Sequence, residues 1–440
     1  MPSLRITTVP ADEYYKSRIT VDDIKPVAVS AFSSIMKGLT HPLSQEETHP
    51  LIKKTETAES SRVTSERYDL ALEKFNRLFL HIHWGDGLPL IPPTPERVKW
   101  MLSGIRRDPK EVIGIVAPKN GIATIEKIAI NAVMAGARPE YLPVIIAAME
   151  GLTDKHFDLL HVMTSTGSFN LAIIVSGPIA REINMNSGIG FLGHGWRANN
   201  TIGRAVRLTL INTGHLWPGE NDMALMGRPS AHTFRTFAEN DAANPWKPYH
   251  ASRGYQPEDS CVTVSTTGSY SFGDIQFGGG AVIPWNVETI LGNIIAHISV
   301  DRGQWSAFKP GVAIPAAAPG KHLIVLHPEM VQELNRLGYT QEKLQAAIYD
   351  KTSVPFEDLT SQEIAAIKGG WLERAVPAEL HNSFMACLKP GAKVPVLVSP
   401  EDIHIFVAGG VPGYSFGMKY FRIAHQTKLI RGALLTKSGR

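Results

Sequence analysis

The chain has 440 residues, of which 43% are apolar and 19% charged, with a formal net charge of +3 and two cysteines. That length can bury a sizeable core and usually makes more than one domain. The charge balance, without a long Lys/Arg tract, excludes a nucleic-acid partner. Cys261 and Cys387 are too few for a disulfide framework or a Cys-rich zinc site, and no apolar run reaches membrane-spanning length. A cytoplasmic protein is expected, and the low charged fraction points to a homo-oligomer.

Residues 1–62, with stretches such as HPLSQEETHPLIKKTETAESSR, read as a polar extension that is partly disordered or wraps another subunit. SERYDLALEKFNRLFL follows with helical spacing of apolar residues. The run LFLHIHWGDGLPLIPPTPERV (78–98) then carries His81 and His83 one residue apart. On a strand both imidazoles would share one face, the layout of the first metal ligands in amidohydrolase-type barrels. His194, His215, His232 and Asp301 could complete such a site, but no spacing enforces it, and the expectation is a site without metal. GIATIEKIAINAVMAGARPEYLPVIIAAMEGL predicts two helices broken at Gly136 to Pro139, with Glu126 and Lys127 either at a surface edge or paired for proton transfer.

GFLGHGWRANNTIGRAVRLTLINTGH (190–215) predicts a glycine loop feeding a helix capped by Asn199, Asn200 or Thr201 and running to about Asn212. Unpaired N–H groups at such a start attract anions, and Arg197 and Arg204 lie where they could grip a carboxylate. The glycine spacing is not a dinucleotide fingerprint, so no cofactor is assigned. In the Gly- and Pro-rich segment 215–250, Glu220, Asp222, His232, Glu239, Asn240 and His250 crowd together; Glu239 or Asp222 could act as general base, as oxygen ligand to a metal, or as turn former or cap. GYSFG at 413–417 resembles a nucleophile elbow, but no acid follows Ser415 and only His425 lies downstream, so a hydrolase triad is not expected.

Two ordered echoes run through the chain. LAIIVSGPIAREI and HLIVLHPEMVQEL share a strand–Pro–helix rhythm, and the β-rich runs 261–274 and 403–418 both contain Tyr-Ser-Phe-Gly. The expected fold class is therefore α/β, with two related lobes from an internal duplication (63–300 and 301–440) and a helical entry to the first. Tyr270-Ser271 and Tyr414-Ser415 would then face a shared cleft, a favoured ligand position.

The segments DGLPLIPPT, EKIAINAVMAG, GWRANNTIGRA and FAENDAANPW resemble a bacterial and fungal family associated with the UGSC-motif (seleno)protein domain. The resemblance is good over about 84–260 and weaker beyond, where PEDIHIFVAGG is the best segment. It implies a thiol or selenol nucleophile nearby. This chain has no Cys-Gly-Ser-Cys, so it either borrows such a group from a partner protein or works without it. The resemblance also implies that WGDGLPLIPPT is a shaped entry loop with Asp86 as its key side chain. The expected activity is acid–base chemistry of the lyase or hydratase type on a small anionic metabolite. Glu126, Lys127, Glu239, Tyr414 and Ser415 would be catalytic, and Asp86, Arg197, Asn199, Arg204, Tyr270 and Ser271 would bind substrate. The rival readings are a substrate-presenting subunit and a metal-dependent hydrolase at His81 and His83.

Overall fold

The computed structural model describes residues 20–42, 62–228, 230, 232–267, 273–275, 287–292, 294–295, 321–368, 378–395, 397, 399–410, 415–420 and 425–434. The chain divides into two compact units, Met1–Thr64 and Ser65–Arg440. In the first, α1 (Val21–Thr40) starts at a capping box in which Thr20 and Asp23 satisfy each other's backbone N–H, and none of its residues is buried.

In the second unit, α2 (Tyr68–His81) forms where the apolar spacing predicts it, through Leu78-Phe79-Leu80, and takes in His81 as well. His81 is its last residue and His83 has φ 60°, so the two histidines do not share a strand face as the alternation suggested. Helix α3 (Pro95–Leu102) begins with Pro after a Thr94 cap. The hairpin β1 (Val112–Val116) and β2 (Gly121–Thr124) leads directly into α4 (Ile125–Ala135), whose first turn is capped by Thr124. Gly136, with φ 80°, ends α4, and α5 (Leu142–Leu152) follows, so the predicted break is present. Nearly every residue of α5 is buried, as its all-round apolar surface requires. Next come α6 (Leu159–Thr164), β3 (Asn170–Ser176), α7 (Ile179–Glu182), α8 (Arg197–Gly214), β4 (Arg235–Ala238), α9 (Tyr249–Ser252), β5 (Cys261–Thr267) and β6 (Gly273–Ile275). Beyond them lie β7 (Lys321–Leu326), α10 (Pro328–Arg336), α11 (Gln341–Thr352), β8 (Val354–Pro355), α12 (Ser361–Ala366), α13 (His381–Ala386), β9 (Lys393–Val394), β10 (Ile403–Val407), β11 (Ser415–Tyr420) and β12 (His425–Leu429).

The architecture is α/β with two mixed four-stranded sheets, ordered β12-β5-β3-β4 and β10-β7-β11-β6. Ala172, Ile174 and Phe237 of the first pack against Leu323, Val325 and Phe406 of the second. Helices α5 and α8 cover the outer face of the first sheet. Gly151 lets α5 close in, since a Cβ there would come within 2.6 Å of Val264 Cγ2. Helices α10 and α11 cover the second through Met330, Val331, Leu334, Leu344 and Ile348. With both faces covered, β3, β5 and β10 are buried throughout and read as continuous apolar or small-residue runs.

The two sheets repeat one pattern of directions. In the first, β3 is parallel to β4 and antiparallel to β5, and β5 is antiparallel to β12. In the second, β7 is parallel to β10 and antiparallel to β11, and β11 is antiparallel to β6. One row of backbone partners crosses the first sheet at Phe237, Ile174, Thr263 and Thr427; a row in the second runs through Phe406, Val325, Phe416 and Asp274. The edge strands are exchanged, because β6 precedes residue 300 but pairs with β11, and β12 comes last yet pairs with β5.

Of the two Tyr-Ser-Phe-Gly copies, the described residues are Gly273 in the first and the backbone of Ser415–Gly417 in the second. Gly273 and Gly417 are direct partners across β6 and β11, and β5 is antiparallel to β3 whereas β10 is parallel to β7. Tyr270, Ser271, Tyr414 and the Ser415 side chain lie outside the described residues, as does Asp301.

Candidate functional site

The carboxyl ends of parallel strands are where open α/β sheets carry ligands. Here the ends of β3 and β4 meet the end of β10: Asn240 N–H donates to Val407 O (2.7 Å), and Gly409 N–H donates to Ser187 O (2.8 Å). Directly after β4 stand Glu239, Asn240 and Asp241. Glu239 is buried; its carboxylate accepts from Ser176 Oγ (2.6 Å), from the Tyr249 backbone N–H (3.1 Å) and from Asn244 Nδ2 (3.4 Å). Burial, reinforced by the nearby Asp241 charge, pushes the Glu239 carboxyl well above the usual carboxylate range. Asp241 is raised as well, by burial, against the opposing pull of the Gly177 N–H (2.7 Å to Oδ2), His250 and Arg181. Gly177 has φ 94° and no room for a Cβ beside Asp259 O, so only glycine presents this N–H.

The short helix α9 links these acids to a second polar cluster between the sheets. The Tyr249 hydroxyl lies 2.7 Å from His404 Nδ1 on β10 and 2.6 Å from His425 Nε2 on β12. His425 Nδ1 is 3.2 Å from Ser265 Oγ on β5, the two imidazoles stack at 4.2 Å, and Arg253 Nη2 reaches His404 Nδ1 at 2.7 Å. Arginine can only donate, so His404 Nδ1 is an acceptor. A consistent network then runs one way: Ser265 donates to His425, His425 Nε2–H to the Tyr249 oxygen, and Tyr249 O–H to His404. Burial raises the Tyr249 phenol far above its ordinary range, which keeps it a neutral donor. His327, at the end of β7, is held neutral by burial, its pKa lowered to about 4.

The glycine-loop residues take other roles. Helix α8 starts at Arg197 with Trp196 at the cap, so Asn199, Asn200 and Thr201 lie inside its first turns rather than capping it, and it runs to Gly214. Arg197 Nε and Nη2 both donate to Gly136 O (3.1 and 2.9 Å). Arg204 forms a two-bond ion pair with Asp86 (2.8 and 2.9 Å) and also donates to Leu88 O and Pro89 O. The Asp86 side chain is 3% exposed. Buried Asn199 pins the loop before it, accepting from Asn186 N and donating to Asn186 O and Phe191 O. These side chains shape and join DGLPLIPPT, EKIAINAVMAG and GWRANNTIGRA; the two arginines are engaged with the protein itself.

Glu126 and Lys127 are exposed on the first turn of α4, and Lys127 Nζ donates to Ile122 O, the surface-edge arrangement. Asp222 is the turn former of the two alternatives: it pairs with buried Arg228, which also binds three backbone carbonyls. His83 stacks on Trp217 at 3.9 Å and meets Glu220 at 2.9 Å. Among the described residues no group of three or more His, Cys, Asp or Glu is arranged to hold a metal ion. Sequence reasoning missed Tyr249, Arg253, Ser265 and His404; more than 130 residues separate the first three from His404 and no local spacing links them. Comparison with protein-family models, with curated proteins and with solved structures finds no match to this chain.

Proposed function

We propose that this chain is an acid–base enzyme that transfers protons on a small metabolite at the carboxyl ends of β3 and β4, in the manner of a lyase or hydratase. The observation that carries the reading is Glu239: a buried carboxyl at a strand end, coupled to Asp241, with its proton retained by its surroundings and its orientation fixed by Ser176 and the Tyr249 N–H. Two coupled acids in one site divide the labour, one holding a proton while the other is ionised. Glu239 is the proton donor and Asp241 its ionisable partner, and the Tyr249–His404–His425 network keeps α9 rigid behind them. The anion-binding role expected of Arg197 and Arg204 is set aside, because a carboxylate would have to displace Gly136 O or Asp86 from them. The resemblance of FAENDAANPW to the UGSC-associated family agrees with a working segment here, since it contains both acids.

The same reading extends to the architecture: the two sheets derive from one repeated unit, with β3, β4, β5 and β6 corresponding to β7, β10, β11 and β12. The shared pattern of directions supports this, as does the register, since Thr263 and Phe416 stand as far apart in sequence as Asp274 and Thr427. In that correspondence Ala408 takes the place of Glu239 and His327 that of Ser176, so the repeat retains the acid in one copy only.

The test begins with a panel of small metabolites screened by thermal shift on the full chain, followed by turnover assays on those that bind. Glu239→Gln is expected to keep the fold and the binding while lowering turnover by about 10²-fold or more. A variant that turns over at the wild-type rate removes Glu239 from the mechanism.

A further inference from the structure

Two arginines, Arg204 and Arg228, fasten neighbouring loops by their backbones. Arg204 holds the entry loop through Asp86, Leu88 O and Pro89 O. Arg228 closes the loop 222–228 on Asp222 and ties it to Val162 O, Met163 O and Phe169 O. The two segments adjoin, since His83 stacks on Trp217 and meets Glu220, and His232 lies 3.9 Å from Asp86. Their outward side chains are large and apolar. Ile82, Trp84, Leu88 and Met223 are exposed, and Leu225 and Met226 stand out at 78% and 79% exposure. At about 200 Å² for a fully exposed large side chain, these six present on the order of 600 Å². The largest apolar patch of an ordinary monomer covers about 300–600 Å², so this one sits at the top of that range. A loop held rigid before contact loses little freedom on binding, which serves a binding surface and is of no use to a turn facing water.

We propose that this face is an interface between two copies of the chain, related by a twofold axis. The area favours a second copy: a stable interface takes about 800 Å² from each partner, which the apolar centre and a polar border together supply. The charges agree. A twofold contact sets like residues near like, so its border must carry both signs. Here Glu220 lies between His83 (2.9 Å) and Lys119 (3.8 Å), and the two arginines are turned inward onto acids and carbonyls. A membrane-binding face would instead surround its apolar centre with outward Lys and Arg. The interface is independent of the acid–base reading at Glu239.

Light scattering on the full chain after size exclusion should give the mass of a dimer. Its melting temperature should rise with protein concentration over about a hundredfold range, because association stabilises the folded state by mass action. Leu225→Asp and Met226→Asp change side chains that face water in the single chain, so both should keep the wild-type circular dichroism. Each should halve the measured mass and abolish the concentration dependence of melting. Met385→Asp, at an exposed apolar residue of α13, should remain a dimer. Hydrogen exchange on the wild-type chain gives a second reading without any substitution: amides of 82–91 and 222–228 should exchange more slowly as concentration rises. A monomeric wild-type chain overturns the proposal. So does a dimer that survives both Asp variants, one broken equally by Met385→Asp, or exchange in the two loops that ignores concentration. A monomer that sediments with phosphatidylcholine–phosphatidylserine vesicles, and loses them in Leu225→Asp, would assign the face to a membrane and equally overturn it.

Discussion

Asp86 and Arg204 exchange two hydrogen bonds at 3% and 15% side-chain exposure, and each would be left charged and largely dry without the other. Removing one member of such a pair typically costs about 3–5 kcal/mol, because the survivor keeps its desolvation penalty and loses its compensation. Asp86→Ala is therefore expected to lower unfolding free energy by about that amount in chemical denaturation, with Asp86→Asn intermediate. A loss under about 1 kcal/mol would mean that Leu88 O and Pro89 O alone satisfy Arg204. The sequence made both residues conspicuous but not their partnership. A Gly-Asp-Gly turn and an arginine one turn into a helix each look like ligand-binding features, and 118 residues of chain separate them. Glu239 was legible as one of several polar residues crowding the Gly- and Pro-rich segment 215–250, where general base and turn former were equal readings, and burial then does the chemical tuning.

At the scale of elements, α4, α5, β3, β7 and β10 follow from local patterns: a Thr cap, a glycine stop, and apolar runs closed by Gly-Pro, His-Pro or Gly-Gly. The helical spacing through Leu78 holds to His81; the His-x-His alternation suggested a strand face there because a short apolar stretch is compatible with both periods. What local pattern cannot supply is pairing. β12 (HQTKL) has little apolar character, yet its place beside β5 is secured by Lys428, whose Nζ donates to Asp154 Oδ2 at 2.6 Å beyond the end of α5. This bond, helped by the His156 N–H, lowers the Asp154 pKa to about 2. A carboxylate lowered on folding contributes stability that is complete above its unfolded pKa of about 4 and is lost as pH falls through about 2. Partial exposure limits the contribution to on the order of 1 kcal/mol. Lys428→Ala should be destabilised by that much at pH 7 and should show a smaller acid-induced loss between pH 4 and 2. Parallel stability curves for variant and wild type would remove the bond from the account.

For the whole molecule, the exchanged edge strands decide how the chain can be divided. A cut near residue 300 leaves β5 without β12 and β11 without β6. Residues 1–300 and 301–440 produced together should co-purify as one complex with a single melting transition, and neither should fold when produced alone. A cooperative, monomeric melt from either fragment would contradict the exchange. The sequence echoes pointed toward two related halves; most of the repeated tetrapeptide lies outside the described residues, and the glycines that close it pair with each other across β6 and β11. What the two sheets have in common is a pattern of strand directions, which side-chain identity records only faintly. The position of β12 also sets a timetable during synthesis. On the ribosome, β5 emerges early but has its bonding edge open until residues 425–429 leave the exit tunnel, and at ordinary elongation rates that wait lasts on the order of ten seconds. Throughout it, a nascent chain offers an unfilled strand slot to any neighbour on the same message, so slow translation or crowding of ribosomes would favour intertwined products in which one molecule's tail closes another's sheet.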